Sequence, residues 1–186
     1  MSWIPNAICV LRILLVAPIV WALLERRYGL ALTLVIVAGI SDAIDGYLAK
    51  RFSWRSRLGS LLDPAADKLL LTSVFLTLTY MGLVPLALTS IVVLRDVVIV
   101  VGALVYQLAI APFRGAPTAI SKLNTACQLA FVVFTMTNAA YVWPPQISLI
   151  VLGAGVVFTS ITSGLNYVIQ WAKLAWRAKH GSPVSV

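Results

Sequence analysis

Leu30-Ala31-Leu32-Thr33-Leu34-Val35-Ile36-Val37-Ala38-Gly39-Ile40-Ser41-Asp42-Ala43-Ile44-Asp45-Gly46-Tyr47-Leu48-Ala49-Lys50-Arg51 opens as an apolar run and closes on two carboxylates and two cations. Seven residues later comes Gly59-Ser60-Leu61-Leu62-Asp63-Pro64-Ala65-Ala66-Asp67-Lys68, which carries two more carboxylates and leads into a second apolar run. Asp42 and Asp45 are spaced i, i+3, and Asp63 and Asp67 i, i+4, so each pair shares one face of a helix. The two helices are expected to run antiparallel about a tight loop, with their carboxylate faces opposed. Gly39, Ala43, Gly46 and Ala49 would allow close backbone approach there, or leave room for a ligand. Pro64 would begin the regular part of the second helix or kink it.

These four aspartates are most of the six acidic residues in a chain of 186. The chain as a whole is 61% hydrophobic and only 11% charged, with a mean hydropathy of +0.97. A soluble domain would carry about twice that charge. Several apolar runs reach the roughly 20 residues needed to cross a bilayer as helix, so the class is all-α integral membrane protein. Reading the runs against Gly, Pro and charged breakers gives six transmembrane helices, roughly 7–25, 29–51, 60–81, 84–109, 122–142 and 147–175. They form one domain, 1–178, followed by a flexible tail, 179–186, which holds the one histidine, His180. The Met1-Ser2-Trp3-Ile4-Pro5-Asn6 start lacks the basic region of a signal peptide, so the first apolar segment is expected to be retained as a span.

Charge distribution orients the spans. With the N-terminus inside, Arg12, Lys50, Arg51, Arg55, Arg57, Arg114, Lys122, Lys173, Arg177 and Lys179 fall on the inner side, and only Arg26 and Arg27 on the outer. This positive-inside bias predicts that both termini are cytoplasmic and that the aspartates border a polar cavity open to the cytoplasm. The net charge of +8 is therefore topogenic and lipid-facing, and no nucleic-acid partner is expected. Trp3, Trp54, Trp143, Trp171 and Trp176 suit an interfacial belt. Cys9 and Cys127, far apart in apolar surroundings, read as buried thiols and identify no compartment.

Carboxylates at membrane depth are expensive and normally face a wet or protein-lined cavity. Four neighbours do not all stay ionised without divalent cations between them. The donors are all hard oxygens with no Cys or His nearby, which suits Mg²⁺, Mn²⁺ or Ca²⁺ rather than zinc or copper. Two cations about 4 Å apart could clamp a phosphoryl group and its leaving oxygen. The alternative is structural: aspartates that cap helices or pair with Lys50, Arg51 and Lys68.

The pattern Asp42-x2-Asp45-Gly46-x2-Ala49, then Gly59-x3-Asp63-x3-Asp67, resembles the signature of the CDP-alcohol phosphotransferase family of membrane enzymes. Lys50 stands where that family usually has arginine, which keeps the charge but loses the bidentate fork; Arg51 is adjacent. The resemblance implies six transmembrane helices, a homodimer, and displacement of CMP from a CDP-linked donor by an alcohol. It implies that Asp42, Asp45, Asp63 and Asp67 hold two divalent cations, Mg²⁺ or Mn²⁺. Asp67 would also take the acceptor's proton as the catalytic residue. Asp42, Gly46, Ala49, Lys50 and Gly59 would bind the CDP donor, with Asn6 and Arg12 near the first span as donor contacts or interfacial anchors.

Ile4-Pro5-Asn6-x5-Arg12, Thr79-Tyr80-x2-Leu83-x-Pro85, Leu94-Arg95-Asp96-Val97 and Ile120-Ser121-Lys122-Leu123-Asn124-Thr125-x2-Gln128 are similar to the eukaryotic-type cardiolipin synthases of that family. This implies CDP-diacylglycerol as donor and phosphatidylglycerol as acceptor, in a lipid bilayer, with a bacterial inner membrane as the expected location. Arg95, Lys122, Asn124 and Arg51 become the acceptor-binding candidates. Glycerophosphate-using relatives tend to carry a second lysine where Asn124 stands, and losing that cation suits a phosphodiester acceptor. Arg95 has a structural alternative, an ion pair with Asp96 or Asp67, and Lys122 a topogenic one. The rival activity uses glycerol 3-phosphate and makes phosphatidylglycerophosphate. A cation transporter would instead spread its acids through the bilayer depth.

Overall fold

The computed structural model describes the backbone of residues 3–52, 59–109 and 119–179, and the side chains of residues 11, 13–41, 68–102 and 119–170. The regular structure of the described backbone is six helices, joined where described by short turns: α1 Trp3–Leu24, α2 Tyr28–Phe52, α3 Gly59–Tyr80, α4 Leu86–Ala109, α5 Ala119–Tyr141 and α6 Gln146–Lys179. Every helix end lies within four residues of its sequence expectation. The two largest differences have simple causes. α1 starts at Trp3 because Pro5 sits in the first turn, where its missing N–H has no intrahelical acceptor to lose. α6 runs on to Lys179 because Lys173–Lys179 has no breaker, only helix-forming Ala, Leu, Lys and Arg around Trp176.

Sequence chemistry at the helix ends sets the turns. After α1, the Arg26 N–H donates to Leu23 O and the Arg27 N–H to Ala22 O, both at 2.8 Å, with Arg26 at φ 58°. That paired closure about a left-handed residue is a Schellman cap. The same cap ends α3, where the Gly82 N–H donates to Thr79 O and the Leu83 N–H to Leu78 O. There the left-handed position, φ 74°, is occupied by glycine at no steric cost. α5 ends less comfortably on Val142 at φ 58°. The Asn138 side-chain amide donates to Pro144 O at 2.7 Å and closes this turn.

The core is built where the helices cross. α1 packs on α2 and α3, α2 on α5, and α6 on both α4 and α5. Ile19 and Leu23 of α1, Val74, Phe75 and Leu78 of α3, and Val132 and Met136 of α5 are sealed from solvent. Phe75 and Phe131 stack with ring centroids 6.0 Å apart and planes 12° from parallel, joining α3 to α5. The outward faces are just as apolar: Leu86, Leu94, Ile150, Val151 and Phe158 are each at least 64% exposed. A helix that is apolar on all sides needs hydrocarbon or protein around it. Among the described residues, two stretches are long and apolar enough to cross a membrane, Ala119–Tyr141 and Gln146–Gln170; Ile13–Leu24, Tyr28–Ser41 and Lys68–Tyr80 are shorter apolar stretches.

Candidate functional site

The side chains of Asp42, Asp45, Gly46, Ala49, Lys50, Arg51, Gly59, Asp63 and Asp67 lie outside the described residues, as do those of Asn6 and Arg12. Their helical backbone is described: Asp42 to Arg51 fall in the last half of α2, and Gly59 to Asp67 open α3. The expected opposition of the two carboxylate faces falls outside the described side chains. At Gly39, one of the four small residues, an added Cβ would meet nothing within 4 Å.

The described side chains begin again at Lys68, one residue after Asp67, and there a polar cluster crosses four helices. Asp96 of α4 is its hub. Its Oδ1 accepts a hydrogen bond from the Lys68 Nζ of α3 at 2.5 Å and another from the Arg95 Nη1 at 2.6 Å. The Arg95 side chain is 5% exposed. Its Nη2 donates to Ser121 Oγ of α5 and to Ser163 Oγ of α6, each at 2.7 Å. A guanidinium offers five donors in a fixed fork, so one arginine can tie α4 to α5 and α6 at once. Of the two ion pairs open to Arg95 in the sequence, the one with Asp96 is formed. Lys68, counted among the partners of the aspartates in their structural reading, is engaged by Asp96.

One turn further along α5 the ladder continues. Asn124 is fully buried, and its Oδ1 accepts hydrogen bonds from Thr159 Oγ1 at 2.9 Å and Ser160 Oγ at 2.8 Å on α6. Another turn on, Gln128 is 2% exposed. Arg95 Nε, Asn124 Nδ2 and Gln128 Nε2 are buried donors with no hydrogen-bond partner among the described residues. Unpaired buried donors are unusual, since each carries a desolvation penalty of about 1–3 kcal/mol. Lys122 is exposed at the start of α5.

The structure therefore gathers Arg95 and Asn124 into one polar seam and leaves Lys122 at its rim. It adds Lys68, Asp96, Ser121, Gln128, Thr159, Ser160 and Ser163, none of which the charge pattern singled out as site residues. Asp96, Ser121 and Gln128 do fall within the stretches similar to cardiolipin synthases. The hydroxyl-rich Thr159-Ser160-Ile161-Thr162-Ser163 in an otherwise apolar run was the available signal for the rest.

Comparison with known proteins bears on what this seam serves. Residues 2–162 match the family model described as CDP-alcohol phosphatidyltransferase. The chain belongs to the CDP-alcohol phosphatidyltransferase family. Both aspartate pairs and the whole polar seam except Ser163 lie inside the matched residues. Within the family, the chain is 32% identical over 180 residues to human cardiolipin synthase (CMP-forming), covering 88% of this chain and 60% of that protein. It is 34% identical over 156 residues to a probable cardiolipin synthase (CMP-forming) of Drosophila melanogaster, covering 75% and 48%. A chloroplastic CDP-diacylglycerol–glycerol-3-phosphate 3-phosphatidyltransferase of rice is 30% identical over 190 residues, covering 92% and 57%. The chain thus spans about half to three-fifths of the length of these curated relatives.

Proposed function

We propose that this chain transfers a phosphatidyl group from CDP-diacylglycerol to the free hydroxyl of phosphatidylglycerol, releasing CMP and forming cardiolipin. The observation that carries the reading is the Asp42-x2-Asp45-Gly46-x2-Ala49 and Gly59-x3-Asp63-x3-Asp67 pattern inside the family match. The relatives named for cardiolipin synthesis support the acceptor. We place all six helices across a membrane, with both termini and the aspartates on the cytoplasmic side, in a bacterial inner membrane. We expect the working form to be a homodimer.

The donor set at positions 42, 45, 63 and 67 is all carboxylate, which fits hard divalent cations, two Mg²⁺ or Mn²⁺. When bound, such cations would neutralise the pyrophosphate and the leaving phosphate of CMP. In the transfer itself, the acceptor oxygen bonds to the phosphatidyl phosphorus as the bond from that phosphorus to the CMP oxygen breaks. Asp67 takes the acceptor's hydroxyl proton. Gly46, Ala49 and Gly59 leave room for the cytidine diphosphate, and Lys50 supplies positive charge beside it, with Arg51 on the acceptor side. Arg95 and Lys122 face the acceptor's phosphodiester, with Arg95 pre-oriented by Asp96, Ser121 and Ser163. Such positioning is worth most where water is excluded.

The rice relative favours a second reading, in which glycerol 3-phosphate is the acceptor. Purified protein given CDP-diacylglycerol, Mg²⁺ or Mn²⁺ and each acceptor in turn separates the two. Cardiolipin with phosphatidylglycerol supports the proposal. Phosphatidylglycerophosphate with glycerol 3-phosphate, and no cardiolipin, overturns it.

A further inference from the structure

α3 carries Asp63 and Asp67, and polar contacts tie its described part to α4 at both ends. Near the turn between the two helices, Thr79 Oγ1 and Thr89 Oγ1 share a hydrogen bond of 2.5 Å. At the far end, Lys68 Nζ donates to Asp96 Oδ1. Lys68 and Thr79 stand about three helical turns apart on one face of α3, and Thr89 and Asp96 about two turns apart on one face of α4. The two faces therefore meet as an antiparallel pair pinned at each end. Between the pins lie Phe75 of α3 and Val92 of α4, both sealed from solvent. Apolar burial is non-directional, whereas a polar pair at a single position fixes register.

The Asp96 end of this pair is itself held. Arg95 binds the same Oδ1 and reaches Ser121 of α5 and Ser163 of α6. A run of hydrogen bonds thus refers Lys68 to three other helices. Lys68 directly follows Asp67 and comes five residues after Asp63. Adjacent helix positions do not face one another, so Lys68 is poorly placed to pair with Asp67. Positions along one helix do keep fixed angular offsets, about 100° per residue. Whatever sets the rotation of position 68 about the helix axis therefore sets positions 63 and 67 with it.

We propose that Lys68, held by Asp96, is a positioning residue for the divalent-cation site, setting the rotation and register of the α3 carboxylates against those of α2. This rests on the cation reading above and gives Lys68 a task within it. The charge of Lys68 and its pairing act on a bound cation in opposite directions. An ammonium repels a nearby cation, so losing the charge alone tightens metal binding. Losing the pin leaves the α3 carboxylates to be ordered as the metal binds, which weakens binding. The Lys68 side chain is 34% exposed, and a pair so exposed transmits no more than about a fivefold effect.

The test is Mn²⁺ binding to the full-length protein, purified in detergent without lipid substrates and followed by the electron paramagnetic resonance signal of free Mn²⁺. Lys68→Met is expected to raise the Mn²⁺ Kd about three- to fivefold, while Tm falls by no more than roughly 2–4 °C. Lys68→Arg keeps both the charge and a partner for Asp96, and is expected to stay within about twofold of the wild type. A Lys68→Met Kd equal to or below the wild-type value would overturn the inference, and Lys68→Gln repeats that arm should the first variant not fold. So would a Lys68→Arg protein that loses as much affinity as Lys68→Met. If the wild type binds no Mn²⁺, or Asp63→Asn binds it as tightly as the wild type, the cation reading itself fails and the inference with it.

Discussion

Replacing Asp96 by alanine, which breaks the ion pairs to both Arg95 and Lys68, should destabilise the protein far more than replacing Lys68, which breaks one of them. Asp96 accepts from Lys68 and from Arg95, but the two partners differ in burial: the Lys68 side chain is 34% exposed and the Arg95 side chain 5%. Lys68→Ala removes a cation that is partly solvated, and a screened pair of this kind is worth no more than about 1 kcal/mol. Asp96→Ala leaves the buried guanidinium with two serine hydroxyls as its acceptors and no counter-charge among the described residues. Removing one partner of a buried pair costs about 3–5 kcal/mol. The serine contacts remain, so about 3 kcal/mol is the better figure here. For a chain of this length, that corresponds to a fall in Tm of roughly 6–12 °C, against roughly 2–4 °C or less for Lys68→Ala. Thermal unfolding of the purified protein in detergent, followed by loss of the monodisperse peak or by intrinsic fluorescence, measures both. The double variant Arg95→Met/Asp96→Leu should recover part of the loss, because it removes the stranded charge along with its partner. Equal losses for Asp96→Ala and Lys68→Ala would refute the claim that the acid's main task is to hold Arg95 inside the bundle.

Three further outcomes follow from the sequence and the fold. Asp63→Asn should reduce CMP release by at least about a hundredfold if that carboxylate holds a divalent cation, as read from initial rates with labelled donor. Chelation should abolish turnover, and adding Mn²⁺ or Mg²⁺ should restore it in the wild type. At the helix ends, Gly82→Ala should destabilise by about 1 kcal/mol because position 82 is held at φ 74°, whereas Val142→Gly should stabilise by up to about 1 kcal/mol because a β-branched residue is held there at φ 58°. Opposite shifts in Tm for these two variants would confirm that assignment.

The helices were legible in the sequence because their signals are local. Apolar runs end at Glu25-Arg26-Arg27, at Gly82 and at Trp143-Pro144-Pro145, and the chain turns at each of them. The aspartate motif was legible for the same reason, since its spacing sits within one stretch of sequence. The polar seam was not. Arg95 meets Ser121 and Ser163 across 26 and 68 residues, and Asn124 meets Ser160 across 36. No periodicity predicts such pairs. Hydroxyls inside an apolar helix are also a weak cue, because most of them bond back to their own helix. Thr77, Thr135, Thr137 and Thr162 do so through the carbonyl four residues earlier. Thr159 does so and reaches Asn124 as well. Only the packing of α6 on α5 separates the two kinds.

Mixing donor and acceptor lipids of different acyl composition tests the central claim most directly. CDP-diacylglycerol with one pair of chains and phosphatidylglycerol with another are supplied to the purified protein, and the cardiolipin is resolved by mass spectrometry. Transfer of a phosphatidyl group from the CDP-linked donor predicts a single product mass, with one chain pair from each lipid, formed in step with CMP. Cardiolipin carrying only phosphatidylglycerol chains, or CMP release with no mixed product, would contradict it.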